Sequence, residues 1–295
     1  MIESKFSKIF FGIFRNLILI LVSCACFLPL LLVVSISFSD INAIFKYGYS
    51  LIPKDVSLEA YKFIFQDASQ IIHSYGVSIF VTFVGGALAL ILTAMIAYTL
   101  SRKNYRYNKQ LNFFVFFTML FNGGLVPWYI ITTRYLHLKN TIWVLILPYL
   151  ISAWFVFLLK GFFSNIPYEI IESAKIDGCS EYQIFWHHIL PMSKPALATI
   201  GLMCILRYWN DWWLSLLYID KQNLIPLQYL LQRIMSDIQE LANMPSSMGI
   251  ETALNFPSES ARMAMAVIAA GPMLFIFPFF QKYFVKGLTV GSVKG

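Results

Sequence analysis

The sequence predicts an all-α integral membrane protein with six transmembrane helices, and three of its features carry that expectation. The first is composition: 58% hydrophobic and 17% aromatic residues against 13% charged, with a mean hydropathy of +0.67 over 295 residues. Soluble domains run at about 25% charged and about 45–50% apolar, so apolar surface on this scale is accommodated by lipid. The second is a set of six windows close to the ~20 apolar residues that cross a hydrocarbon core. The third is where the charge lies. The net charge of +7 comes from Lys and Arg residues in the short gaps between apolar runs, a distribution that sets topology rather than making a basic face for nucleic acid.

The windows, in order, are 13–38, 74–100, 111–131, 141–163, 196–219 and 261–283. Pro29, Pro148, Pro272 and Pro278 fall inside them, where kinks are tolerated because neighbouring helices re-satisfy the freed carbonyls. The first window ends a basic leader with Leu21-Val22-Ser23-Cys24, which resembles a lipoprotein cleavage box; the apolar run continues to Phe38, so a retained helix is expected. In the second, Gly76, Gly85 and Gly86 suit close helix packing. The third holds Asn122-Gly123-Gly124 and then Pro127-Trp128, which should break the helix; packing through small residues is the competing explanation. Broken backbone at membrane depth belongs where protein or a cavity surrounds it.

The fifth window carries Arg207, Trp209, Asn210, Asp211, Trp212 and Trp213. Arg207 and Asp211 are four apart, so on a continuous helix they share a face and can pair. Ionisable groups inside a span default to a functional reading. Here that reading is a wet, aromatic stripe lining a solute path; a structural ion pair and an interfacial Trp belt are its alternatives.

Lys and Arg favour the segments on the N-terminal side of the membrane, which places both termini in the cytoplasm. Three loops then face outward. The first contains a helix-like stretch at 57–65 with Ser57 as N-cap, the second is tight (132–140), and the third has an amphipathic run with Leu227, Leu230, Leu231, Ile234, Ile238 and Leu241 at helical spacing. Cys24, Cys26, Cys179 and Cys204 have no disulfide or zinc spacing and read as packing residues. His187 and His188 are adjacent, which points their rings apart on a helix and disfavours a metal site; His73 and His137 lie near outer loops without obvious partners.

The stretch 169–195 is different in kind. It is a long polar segment between two apolar windows, and it reads as two short helices broken at Asp177-Gly178 and stopped at Pro191. Glycine supplies the left-handed turn, and proline lacks the amide a helix needs. A helical hairpin hung between spans is shaped for docking onto another molecule. No G-x-x-x-x-G-K-[ST] phosphate loop occurs in the chain.

Glu172-Ser173-Ala174, Asp177-Gly178 and Leu190-Pro191 in this stretch resemble the EAA loop of type I ATP-binding-cassette importer permeases, with Ser in place of one Ala and His188 where an apolar residue is usual. The C-terminal residues 281–295 are similar to the tail of the carbohydrate-uptake branch, of the maltose-permease second-subunit type. Residues 121–127, 218–220 and 226–228 resemble a sub-branch linked to polysaccharide and complex oligosaccharide import.

The resemblance implies a type I ABC importer permease fold: an N-terminal part (1–73), a core of five spans with the coupling loop (74–283), and a cytoplasmic tail (284–295) reaching toward the ATPases. It implies a second homologous permease subunit, two ATPase subunits holding ATP and Mg, and an extracytoplasmic solute-binding protein, often a lipoprotein, that delivers an oligosaccharide. The site would lie in a bacterial cell membrane, with no nucleic acid and no catalytic residue in this chain. The ATPase-coupling residues it implies are Glu172, Ala174, Asp177, Gly178, Ile184, Phe185, Trp186 and Pro191, with Glu172 pairing a basic ATPase residue and Ile184, Phe185 and Trp186 as apolar anchors. Asn122, Gly123, Gly124 and Trp128 join the fifth-window residues as the expected pathway. The competing expectations are an importer of another solute class, a membrane-embedded enzyme using His187-His188 or Arg207-Asp211, and a scaffold that moves nothing.

Overall fold

The computed structural model describes residues 5–243 and 258–291, apart from the side chains of 5–10, 67, 238, 241–243, 258 and 282–291. Among the described residues the regular elements are helical, with one isolated antiparallel bridge between Ser39 and Val56. The chain divides into two compact units, residues 1–68 with 233–271 and residues 69–232 with 272–295.

In the first unit, α1 (Lys5–Ser37) contains Pro29 and keeps large apolar side chains such as Phe11, Leu21, Cys24, Cys26 and Phe27 exposed. The packing role expected of Cys24 and Cys26 is therefore not met among the described residues; beyond Asn16 the helix is apolar on every side, a surface for lipid or another subunit. The chain leaves the membrane through a fixed corner: Phe38 stacks on Tyr61 at 5.0 Å, and the Ser37 and Tyr61 hydroxyls lie 2.9 Å apart. Asp40 caps α2 (Ile41–Tyr47) by accepting the Asn42 amide. The short helix expected in the first loop is α3 (Glu59–Ile64), but its N-cap is Leu58 rather than Ser57, whose hydroxyl accepts the Glu59 amide from one residue further out.

The second unit is built around α4 (Ala68–Ser101), a 34-residue helix without proline. Then come α5 (Asn108–Leu120), α6 (Leu125–Ile130), two tight 3-10 turns (Ile142–Leu145 and Leu147–Tyr149), and α7 (Ala153–Ser164). The hairpin elements α8 (Tyr168–Ile176), α9 (Glu181–Ile184) and α10 (Leu190–Met192) lead into α11 (Lys194–Trp209) and α12 (Trp213–Tyr218). Ala94 and Ala97 of α4, Val144, Ile146, Val156, Leu159, Ile200 and Tyr218 form its buried centre. α13 (Leu227–Asn243) is the expected amphipathic helix: Leu227 and Leu231 are buried and its first amide donates to the Ser78 hydroxyl at 2.7 Å, while the side chains of Ile238 and Leu241 lie outside the described residues. α14 (Ser258–Gly291) holds Pro272 and Pro278 and runs past 283, so the last window and the start of the expected tail are one helix; residues 292–295 lie outside the described residues.

Among the described residues three helices are long and apolar enough to cross a membrane unbroken, Phe11–Ser37, Ala68–Ser101 and Glu259–Gln281. Three further pairs reach that length together but bend at a break: Asn108–Leu120 with Leu125–Tyr135 by 109°, Ile142–Tyr149 with Ala153–Ser164 by 49°, and Glu181–Met192 with Lys194–Trp209 by 87°. Pro148 lies in the first turn of the Leu147–Tyr149 segment just before the 49° break, a position where its missing amide costs little.

Glycine packing holds α4 against α11 at two of the three expected positions. A Cβ on Gly85 would lie 2.7 Å from the Tyr208 ring and one on Gly86 would lie 3.4 Å from Ile205, but one on Gly76 meets nothing within 4 Å, so the packing reading fails there. Tyr208 cannot swing away freely, because its hydroxyl donates to the Ile146 carbonyl at 2.8 Å. Gly85→Val should therefore destabilise the bundle by about 1–3 kcal/mol through overpacking. The measurement is thermal unfolding in detergent, with Gly76→Val as the control that leaves the midpoint unchanged.

Candidate functional site

The hairpin is closed by its own backbone. The Gly178 and Cys179 amides donate to the Lys175 and Ala174 carbonyls at 3.0 and 2.9 Å, and Gly178 takes φ +77°, the left-handed conformation that favours glycine. Ser180 then opens α9 with a capping box: its hydroxyl accepts the Gln183 amide, and the Gln183 carboxamide oxygen accepts the Ser180 amide. Past Ile184 the helix widens into a π turn (Phe185–Ile189) before α10. In a wider turn residue 189 comes into line with 184 and 185, and residue 188 slides to the edge. Ile189 is buried accordingly and His188 only half-buried, which accounts for a histidine at that position. The helix runs through Pro191, which is exposed, and ends at Met192 rather than stopping at the proline.

The hairpin has an inner and an outer face. Ile171, Ala174, Ile184, Phe185 and Ile189 are buried, Ile184 at 0% and Phe185 at 4% exposure. This corrects the expectation that Ile184 and Phe185 are outward anchors: they seat the hairpin on its own core, Phe185 against the Tyr98 ring at 5.3 Å. Ala174 is likewise a seating residue. The outer face instead offers Ile176, 86% exposed, Tyr182, 65% exposed, and Trp186, together with Glu172, Asp177 and Gly178. Glu172 has no hydrogen bond or ion pair among the described residues, so its charge is open to a partner.

One acid ties the inner face to α4. Glu181 Oε2 accepts the Tyr98 hydroxyl at 2.6 Å, while Oε1 lies 2.7 Å from Lys175 Nζ and 3.5 Å from Arg102 Nη2. Burial works to raise this carboxyl, but the Lys175 hydrogen bond, the Tyr98 hydroxyl and the Arg102 charge together hold it below the usual carboxylate range. A carboxyl lowered on folding stabilises above its ordinary pKa and loses that contribution only as pH falls through the depressed value, so the tie is intact at neutral pH.

The expected pathway residues split into two clusters. Helix α5 ends at Leu120, the Asn122 carboxamide accepts the Gly124 amide at 2.9 Å, and Gly124 adopts φ +84°. Among the described residues a Cβ on Gly123 would come no nearer than 4.0 Å to its own Pro127 and one on Gly124 would meet nothing within 4 Å, which disfavours the small-residue packing alternative there. Asn122, Gly123, Gly124 and Trp128 are all exposed.

In the fifth window the continuous helix is overturned. α11 ends at Trp209, Asn210 is its C-cap, and Asp211 Oδ2 accepts the Leu214 amide at 3.2 Å at the start of α12. The helix break at Asn210 takes Asp211, one residue before the Trp212 N-cap of α12, off the Arg207 face, so the two form no direct ion pair among the described contacts. They meet through Tyr149: the Arg207 guanidinium lies over its ring at 4.1 Å, and its hydroxyl donates to Asp211 Oδ1 at 2.7 Å. Trp209 is buried near Tyr75 and cannot line a path, whereas Asn210, Trp212 and Trp213 are exposed.

Several working contacts were invisible in the sequence. Tyr98, Arg102, Lys175 and Glu181 converge from positions up to 83 residues apart. His73 does have a partner, the Asn223 carbonyl at 2.6 Å. Lys160 donates to the Asn112 carboxamide and lies over the Phe157 ring. Of these, only the Ser180–Gln183 spacing carried a readable sign, by fixing where α9 begins and hence where Glu181 points.

A profile of the family described as "Binding-protein-dependent transport system inner membrane component" matches residues 92–290, hairpin included. The chain belongs to that family. It is an ABC importer permease with the type I fold, a transport subunit rather than an enzyme. It is 40% identical over 278 residues to the polygalacturonan/rhamnogalacturonan transport system permease protein YtcP of Bacillus subtilis, covering 94% of this chain and 96% of that one. It is 28% identical to the arabinooligosaccharides transport system permease protein AraQ of Halalkalibacterium halodurans, over 90% of this chain and 91% of that one. A crystal structure of a bacterial ABC transporter involved in the import of the acidic polysaccharide alginate contains a chain with TM-score 0.79 and 28% identity, covering 96% of this permease and 99% of that chain.

Proposed function

We propose that this permease forms half of the transmembrane pathway of an ATP-driven importer for an oligosaccharide released from a polysaccharide. The observation that carries the coupling role is the hairpin: a rigid, capped element between spans whose outer face presents an open Glu172 beside exposed Ile176, Tyr182 and Trp186. The substrate class is supported by the named relatives, whose printed substrates are polysaccharides or their fragments.

On this reading a second, related permease completes the path, and two ATPase subunits hold ATP and Mg on the hairpin side. An extracytoplasmic solute-binding protein supplies the sugar, and both termini face the cytoplasm of a bacterial cell. Closure of the ATPases moves the hairpins and switches the bundle between two packed arrangements. The aromatic and hydrogen-bonding groups at Asn210, Asp211, Trp212 and Trp213 suit a sugar, whose ring faces are apolar and whose rim is hydroxylated.

The test is reconstitution of the complete complex in liposomes with its binding protein and a glycan panel, reading ATPase stimulation and uptake. Polysaccharide-derived oligosaccharides are expected to stimulate both. Stimulation confined to a non-sugar solute, or activity that survives removal of the ATPase subunits, would overturn the reading.

A further inference from the structure

The hairpin can move the spans only if its displacement is not lost in flexing, and two features invite such loss. Its arms are joined at Gly178, and the apolar seat of Ile184, Phe185 and Ile189 resists separation but fixes no direction, since hydrophobic contact is non-directional. Directional contacts converge on one residue. Glu181, at the start of the second arm, binds Lys175 at the end of the first arm and so closes the hairpin on itself. The same carboxylate binds Tyr98 and Arg102 at the end of α4, the unbroken 34-residue helix at the centre of this unit. Arg102 is held in place between the Tyr98 and Tyr168 rings at 5.5 and 5.6 Å, and Asn104 donates to the Tyr168 hydroxyl at 2.8 Å, so the start of the first arm joins the same junction. Beside it lies a cavity of about 310 Å³ lined by Tyr98, Arg102, Asn104, Tyr105, Lys175 and Glu181, so on that side polar contacts rather than packing bridge hairpin and helix.

From this convergence we infer that Glu181 is a positioning residue for transport, the latch through which α4 moves as one body with the coupling hairpin. The inference rests on the proposed coupling function and adds a residue and a direction of force to it. Removing the carboxylate charge leaves the apolar seat intact, so the subunit still folds and assembles while the hairpin slips relative to α4.

The experiment uses the reconstituted complex with its binding protein and compares wild type, Glu181→Gln, Tyr98→Phe and the charge exchange Arg102→Glu with Glu181→Arg. Glu181→Gln is expected to keep subunit co-purification, unfolding temperature and basal ATPase rate, while sugar imported per ATP hydrolysed falls about tenfold, the scale of a modest coupling free energy. Tyr98→Phe, which keeps the ring against Phe185, is expected to lower the same ratio by a smaller factor, and the charge exchange to recover part of it. A wild-type import ratio in Glu181→Gln overturns the latch, and so does a fall in uptake matched by a fall in unfolding temperature and assembly, which marks a structural role. A wild-type complex that hydrolyses ATP without importing sugar overturns the proposed function itself.

Discussion

Gly178→Pro is expected to abolish uptake, by about a hundredfold or more, while the subunit remains in the membrane and its partners still hydrolyse ATP at a basal rate. The residue stands at φ +77°, and its amide closes the turn on Lys175. An ordinary L-residue there pays roughly 1–2 kcal/mol, whereas proline is locked near φ −65° and has no amide to donate, so the hairpin must open. Gly178→Ala, paying only the smaller strain, should retain part of the activity. Glu172→Lys makes the companion case: the side chain is exposed and without a described partner, so reversing its charge leaves the fold alone and acts only on a docked subunit. Uptake and ATPase measured together in proteoliposomes decide it, and normal transport by both Gly178→Pro and Glu172→Lys would sink the coupling assignment.

Asp211→Leu is the second large effect expected. The carboxylate accepts from the Tyr149 hydroxyl and the Leu214 amide at a break between helices, with Arg207 over the ring of the same tyrosine. Leucine strands both donors, at about 1–3 kcal/mol for each buried group left unsatisfied, and removes the negative charge facing the guanidinium. Uptake should fall about ten- to a hundredfold while co-purification with the ATPase subunits persists; Asp211→Asn, which keeps an acceptor oxygen, should fall between. Loss of assembly in Asp211→Leu would instead make the cluster a structural lock.

These two sites show where sequence reasoning reaches and where it stops. The hairpin was legible because its signals are local: Gly at the turn, and a polar stretch between apolar windows. Membrane crossing was legible for the same reason, since hydropathy sums over neighbours. The inner and outer faces of the hairpin were not. Ile184 and Phe185 look as available as Trp186 in a string of letters, and only contact with Tyr98, far earlier in the chain, turns them inward. At Arg207 and Asp211 the i, i+4 spacing assumed a helix that ends at Trp209, two residues before Asp211, whose carboxylate instead accepts an amide of the next helix. A short polar side chain that competes for backbone amides defeats periodicity, and nothing in the spacing announces it.

The turn at Asn122 to Gly124 has a bearing on how the subunit fares in a cell. It bends the third span by 109°, and Asn122, Gly123 and Gly124 are exposed among the described residues. Hydrocarbon cannot hydrogen-bond peptide groups, and irregular backbone is stable at that depth only beneath protein or facing water. In the proposed assembly a second permease or the solute path would supply that cover, so a copy made in excess of its partner would present irregular backbone to lipid.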